Sequence, residues 1–209
     1  MSEERALPPQ LFALTPGDVR ASQLAAFEGK LRDALRAGLR GVLLREPELS
    51  DRDTLALAER LRRALGPDGY LALHDRVHLA HAAGVRAVHL GFRSLAPPVA
   101  RALLPHNIAI GWSAHVHDDV TAIVDVDYAF FGPVLATPSK RGIVEPTGFD
   151  ALRRACERSS VPLWAIGGIT PEHARAAVDC GARGIAARAG VLGSQDPAHA
   201  VEAYLAALR

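Results

Sequence analysis

Short apolar runs recur along the chain, each stopping at glycine, proline or a polar side chain, and between them apolar residues return at helical spacing. The runs are Leu11–Thr15, Val42–Glu46, Tyr70–Asp75, Ala87–Gly91, Ile108–Trp112, Tyr128–Pro133, Val161–Ile166 and Gly184–Ala187. They are too short for helices with a face of their own and read as strands buried on both sides. The intervals carry helix signals. Asp18 opens one helix to about Ala37, with Leu24, Phe27, Leu31 and Leu35 in step, and Ser50 opens another through Leu65, stopped by Gly66–Pro67. A short helix runs to Ala83 before Gly84, Pro97–Pro98 begins another, and Asp118–Val124 predicts a further turn or two. Asp150–Ser159, Thr170–Asp179 and Asp196–Leu208 complete the set, and residues 1–9 read as a frayed start.

Strands in strict alternation with helices demand a parallel sheet. Eight repeats in this length leave about 26 residues each, short but sufficient for a closed (β/α)8 TIM barrel. The competitor is an open doubly wound sheet, which usually announces a glycine-rich first turn. Here that turn is Thr15–Pro16–Gly17–Asp18. The expectation is an α/β chain forming one barrel domain over residues 1–209, with no linker dividing it.

Charge and cysteine content narrow the function classes. With 24 basic and 23 acidic residues the chain has no bulk attraction for nucleic acid or an anionic membrane. Arg60, Arg62 and Arg63 read as a solvated helix face without the aromatic interleaving of a nucleic-acid site. Cys156 and Cys180 fall in helical patterns and read as buried thiols rather than a disulfide. No signal pattern or long uncharged apolar run is present, so a cytoplasmic protein is expected. The sequence does not specify an oligomeric state; a homodimer would be ordinary.

Two stretches invite an anion. After Trp164–Ala165–Ile166 the chain opens through Gly167–Gly168–Ile169 onto Thr170–Pro171–Glu172, a strand ending in glycines at a helix N-terminus. Such a junction is either a plain tight turn or a phosphate site. In a barrel the phosphate site usually follows strands seven and eight. That position takes in Gly167, Gly168 and Ile169 together with Arg188, Ala189 and Gly190, with Gly190 and Gly193 flanking a short extra helix. The second stretch is the long loop from Val134 to Gly148, where Thr137, Ser139, Lys140 and Arg141 stand between prolines and glycines. Loops of this length are usually functional or disordered, and this one reads as closing over an anionic substrate or as a solvated loop. Polar residues recur wherever an apolar run stops: Arg45 and Glu46, His74 and Asp75, Ser113 and His115. His74, His78 and His81 also invite a zinc reading, but His74 ends a strand while the others lie on the next helix.

In order along the chain, Leu44–Arg45–Glu46, His74–Asp75–Arg76–Val77, Val88–His89–Leu90–Gly91, Gly111–Trp112–Ser113–Ala114–His115, Gly132–Pro133 with Thr137–Pro138–Ser139–Lys140, and Ala165–Ile166–Gly167–Gly168–Ile169–Thr170 resemble the thiamine phosphate synthase/TenI family. The resemblance implies a small barrel of one of two kinds. Synthases join a pyrimidine diphosphate to a thiazole phosphate, with Mg²⁺ neutralising the leaving diphosphate. TenI-type proteins aromatise a carboxythiazole phosphate by moving a proton. Three departures fall on the diphosphate side: Pro47 in place of a lysine, His74 in place of an asparagine, and Phe92–Arg93–Ser94 where a second metal-binding aspartate is expected. Asp75 alone is a poor match for Mg²⁺.

The resemblance therefore implies first a TenI-like thiazole tautomerase without a cofactor. In that reading His115 shuttles the proton, work that suits histidine as a residue type. Arg45, with His74, Asp75, Ser113, Thr137, Ser139 and Lys140, meets the substrate, and Gly167, Gly168, Ile169, Arg188, Ala189 and Gly190 hold its phosphate. Two alternatives stay open. One is a divergent Mg²⁺-dependent synthase using Asp75. The other is a non-catalytic protein that binds a phosphate ligand and regulates a partner. His115 also has a purely structural reading, and His89 faces the barrel interior in a packing role.

Overall fold

The computed structural model describes residues 5–137 and 144–209. Eight parallel strands close in sequence order: β1 Leu11–Leu14, β2 Gly41–Leu44, β3 Tyr70–His74, β4 Ala87–Leu90, β5 Ala109–Ala114, β6 Tyr128–Phe131, β7 Leu163–Ile166 and β8 Gly184–Ala187. β8 pairs back onto β1 through Ile185 with Leu11 and Ala187 with Ala13, so no strand edge is left. The helices are α1 Leu24–Arg36, α2 Asp51–Leu65, α3 Ala80–Ala83, α4 Pro97–Leu103, α5 Gly148–Arg158, α6 Pro171–Asp179 and α7 Pro197–Ala207. This is the expected TIM barrel.

Alternation along each strand divides the apolar side chains into two cores. Phe12, Leu14, Leu43, Tyr70, Tyr128, Phe130 and Trp164 point inward, and Val42, Leu44, Leu71, Leu73, Ile110, Phe131 and Ile185 point out to the helices. The inner aromatics meet edge to face, Phe12 with Phe130 and Tyr128 with Trp164, each pair 5.6 Å between centroids. Their bulk is accommodated by small residues alongside. A Cβ on Gly111 would stand 2.3 Å from the Tyr128 ring.

Several local expectations are corrected. The start of the chain is tied down from Arg5 onward. Arg5 pairs with Asp127, Tyr70 donates to the Ala6 carbonyl at 3.2 Å, and Trp164 Nε1 donates to the Pro9 carbonyl at 2.9 Å. Residues 5–9 thus close the lower end of the barrel over otherwise unpaired aromatic donors. Asp18 does not cap α1. A 3-10 turn at Ala21–Gln23 precedes the helix, because the Gly17 and Val19 amides are taken by the Glu46 carboxylate at 2.9 and 2.8 Å. Ser50, by contrast, caps α2 as expected, accepting from the Asp53 amide.

β5 runs two residues further than its apolar run, since Ser113 and Ala114 pair with Phe130 and Phe131. Asp118–Val124 forms turns rather than a helix. Asp118 accepts from the His115 amide and Asp119 from Thr121, bonds that compete with helical ones. The Thr170 hydroxyl bonds to Glu172 and His173 instead of a helix amide. Residues 189–193 are turns, not a short helix.

Candidate active site

The C-terminal ends of the strands enclose a cavity of about 580 Å³. Arg45, His74, Asp75, Ser113, His115, Thr137, Gly167, Gly168, Ile169, Arg188, Ala189 and Gly190 all line it. Ser139 and Lys140 lie outside the described residues. The parallel barrel brings these side chains together from separate repeats, because each strand delivers its last residues to the same end.

One wall is backbone. Gly167 and Gly168 follow β7 with φ of 92° and 67°, a left-handed conformation that side chains disfavour. A Cβ on Gly168 would also stand 2.5 Å from the Ala136 carbonyl oxygen. The Val134 and Leu135 amides bond to the Ile166 and Gly167 carbonyls at 2.9 Å, stitching the β6 loop to this turn. Among the described residues, the Gly167, Gly168 and Ile169 amides have no protein acceptor. Beneath them lies Tyr204 of α7, buried, its hydroxyl donating to the Ile169 carbonyl at 2.7 Å. A Cβ on Gly190 would meet that hydroxyl at 2.4 Å, so the turn after β8 sits directly against it. The sequence reading missed Tyr204, whose surroundings read as an ordinary apolar helix.

The facing wall is cationic. Arg45 follows β2, its amide bonded to the buried Thr15 hydroxyl at 2.8 Å and its guanidinium lying against Gly17. Burial, and then the nearby Arg188, hold Arg45 below its ordinary pKa; Arg93 adds to this, while Glu46 opposes it. Arg93 rests on the exposed Phe92 ring, 5.5 Å from its centroid. His74 is pushed down to about 4 by burial and by Arg45, so its imidazole is neutral near pH 7. Asp75 takes φ of 65°, a conformation aspartate tolerates better than most residues, while its amide bonds to the His89 carbonyl. Arg76 points away from the cavity and binds the Pro47 and Leu49 carbonyls at 3.1 and 2.5 Å and Asp51 at 2.9 Å. It fixes the loop after β2, a role invisible without knowing that the β2 and β3 loops are neighbours.

The floor is a buried polar chain. His89 is 1% exposed, with Nε2 3.0 Å from the Ser113 hydroxyl and Nδ1 3.4 Å from Tyr128. Its ring lies 4.0 Å from that of Phe130, and burial followed by His74 lowers its pKa well below the ordinary value. At the rim, His115 Nδ1 lies 3.4 Å from Asp118, a partner the sequence reading took only as a helix start. That contact favours the tautomer protonated on Nδ1, leaving Nε2 with its lone pair. Outside the site, His78 bonds to Asp51 at 3.0 Å, and among the described residues no group of three or more His, Cys, Asp or Glu side chains is placed to hold a metal.

The molecule is an eight-stranded parallel TIM barrel whose cavity opens at the C-terminal ends of the strands, where barrels of this class carry their active sites. Residues 14–191 match the family described as thiamine monophosphate synthase (TMP-TENI), and the chain belongs to that family. It is 40% identical over 167 residues to the thiamine-phosphate synthase of Albidiferax ferrireducens, covering 78% of this chain and 76% of that one. It is 36% identical over 189 residues to that of Koribacter versatilis, covering 88% and 89%. The thiamine phosphate pyrophosphorylase structure from Pyrococcus furiosus superposes with a TM-score of 0.82 at 27% identity, covering 95% of both chains. Both sequence relatives carry the synthase name, and the solved structure the pyrophosphorylase name. They favour the transferase reading over the tautomerase reading that the sequence placed first. No helix among the described residues is long and apolar enough to cross a membrane.

Proposed function

We propose that the chain is a thiamine-phosphate synthase that transfers a pyrimidine methyl group from its diphosphate to a thiazole phosphate. The observation that supports this reading is a cavity with two walls suited to anions, backbone amides after β7 that have no protein acceptor among the described residues and guanidinium groups from Arg188 and Arg45 round to Arg93 after β4. A tautomerase needs one phosphate held; a synthase needs a phosphate and a diphosphate at once. The cavity volume lies within the usual range for small-molecule sites. In the transfer the carbon–oxygen bond to diphosphate breaks, the electron pair leaving on oxygen, and the thiazole supplies the pair for the new bond. Groups that meet charge developing on the leaving oxygen accelerate such a step. Arg45 and Arg93 serve there, Gly167–Ile169 with Gly190 hold the thiazole phosphate, and Ser113 over His89 orients the pyrimidine ring.

Thiazole tautomerisation is the second reading, favoured by one contact: Asp118 beside His115 Nδ1 leaves Nε2 as a base at the rim. The test is incubation with pyrimidine diphosphate and thiazole phosphate, with and without Mg²⁺, following thiamine phosphate by chromatography. Product that disappears in Gly168→Val and Arg45→Gln supports the transferase. No product in either buffer, with deuterium exchange into carboxythiazole phosphate that is lost in His115→Ala, would assign the tautomerase instead.

A further inference from the structure

The family resemblance implies Mg²⁺ beside the diphosphate, and the donor set here does not fit it. Among the described residues Asp75 is the one carboxylate lining the cavity, against three guanidinium groups, Arg45, Arg93 and Arg188. Magnesium is ordinarily held through one or two carboxylates together with substrate phosphates, and it is repelled by neighbouring cations. Glu46, next to Arg45 in sequence, cannot help. It is 5% exposed and both carboxylate oxygens are turned away from the cavity to the Gly17 and Val19 amides. Ser94, where a second acid would stand, accepts the Gly91 amide at 2.8 Å and only closes its own turn.

These three are the arginines that line the cavity among the described residues, and none of them meets an acidic partner there. Arg5, Arg60, Arg62, Arg63, Arg76 and Arg101 each pair with a carboxylate within 3.0 Å. Among the described residues Arg45, Arg93 and Arg188 pair with none. Strand order explains their convergence. Arg188 and Arg45 follow β8 and β2, which both pair with β1, and Arg93 follows β4. Gathering like charges in a part-buried cavity is unfavourable until an anion arrives, and guanidinium groups bind phosphate oxygens in bidentate fashion. Burial first, and then Arg188 with a smaller part from Arg93, hold Arg45 below its ordinary pKa, in keeping with that crowding.

We propose that Arg45, Arg93 and Arg188 supply the countercharge for the diphosphate, so that this chain binds a diphosphate without a divalent cation. The proposal rests on the transferase reading for its ligand, but its test does not depend on turnover. Inorganic pyrophosphate is titrated calorimetrically into the full chain in EDTA and again in Mg²⁺. The dissociation constants are expected to agree within about threefold, and Arg93→Gln and Arg188→Gln each to weaken binding in EDTA about tenfold.

Asp75→Asn separates the two designs by sign. Asparagine tolerates the positive φ at this position, so the fold is retained. Removing a negative charge from a guanidinium site leaves pyrophosphate binding in EDTA equal or tighter. Removing the sole carboxylate of a metal site abolishes Mg²⁺-dependent binding. Absence of binding in EDTA, with binding in Mg²⁺ that Asp75→Asn destroys, would overturn the proposal while leaving the transferase reading intact. Metal-free pyrophosphate binding without any thiamine phosphate formation would sustain the proposal and sink the transferase.

Discussion

The contact between Tyr204 and Gly190 yields a quantitative test of how the phosphate wall is built. Burial pushes the Tyr204 phenol up to about 12, so it remains a donor at working pH and holds the Ile169 carbonyl at 2.7 Å. Tyr204→Phe removes that donor and leaves a buried carbonyl unpaired, at a cost of about 1–3 kcal/mol. Gly190→Ala places a Cβ 2.4 Å from the hydroxyl, which sits on a buried, rigid ring and cannot swing aside. Overpacking of this kind costs about 1–3 kcal/mol. Were the sites independent, the double variant would lose the sum, about 2–6 kcal/mol.

The structure predicts otherwise. Without the hydroxyl, the next atoms the new Cβ meets are ring carbons at 3.4 and 3.5 Å, close to ordinary contact. The double variant should therefore be no less stable than Tyr204→Phe alone, a favourable coupling of about 1–3 kcal/mol. Urea denaturation with constant slope measures all four corners of the cycle, and melting temperatures give a parallel reading at about 2–4 °C per kcal/mol for a chain of this size. Additive losses would refute the reasoning, because they would mean that the turn after β8 does not rest on Tyr204.

Three further outcomes are expected. Glu46→Gln can accept only one of the Gly17 and Val19 amides, so it should cost about 1–3 kcal/mol and weaken pyrophosphate binding by shifting Gly17 against Arg45; unchanged affinity in calorimetry would contradict this. Arg76→Lys loses the fork that spans the Pro47 and Leu49 carbonyls and Asp51, and hydrogen exchange should show residues 46–50 deprotected with a loss of about 2 kcal/mol. His74 is held at about 4 against an ordinary 6.5, so between those values the unfolded chain takes up protons the folded chain refuses. Stability from this source is complete above pH 6.5 and declines as pH falls towards about 4. The melting temperature of His74→Gln should therefore fall less steeply with acid than that of the parent, and equal slopes would count against it.

The alternation of apolar runs with helical spacing determined the barrel from the sequence, because strands buried on both faces and joined by helices have few other ways to pack. The same pattern marked most of the mouth residues, since in a barrel the end of each apolar run is also the place where the chain meets the cavity. Gly167 and Gly168 were legible because their backbone conformation excludes other residues. What the sequence could not give was partnership between distant repeats. Arg76 and Tyr204 act on loops about 27 and 35 residues away, and the segment 5–9 closes the barrel over aromatics from β3 and β7. Nor did sequence distinguish Glu46, turned into the β1 loop, from a cavity-lining acid such as Asp75. Local propensity acts over a few residues along the chain. Which carboxylate reaches the cavity, and which arginines are left without an acidic partner, is decided by barrel closure and the direction in which each strand's last side chain points.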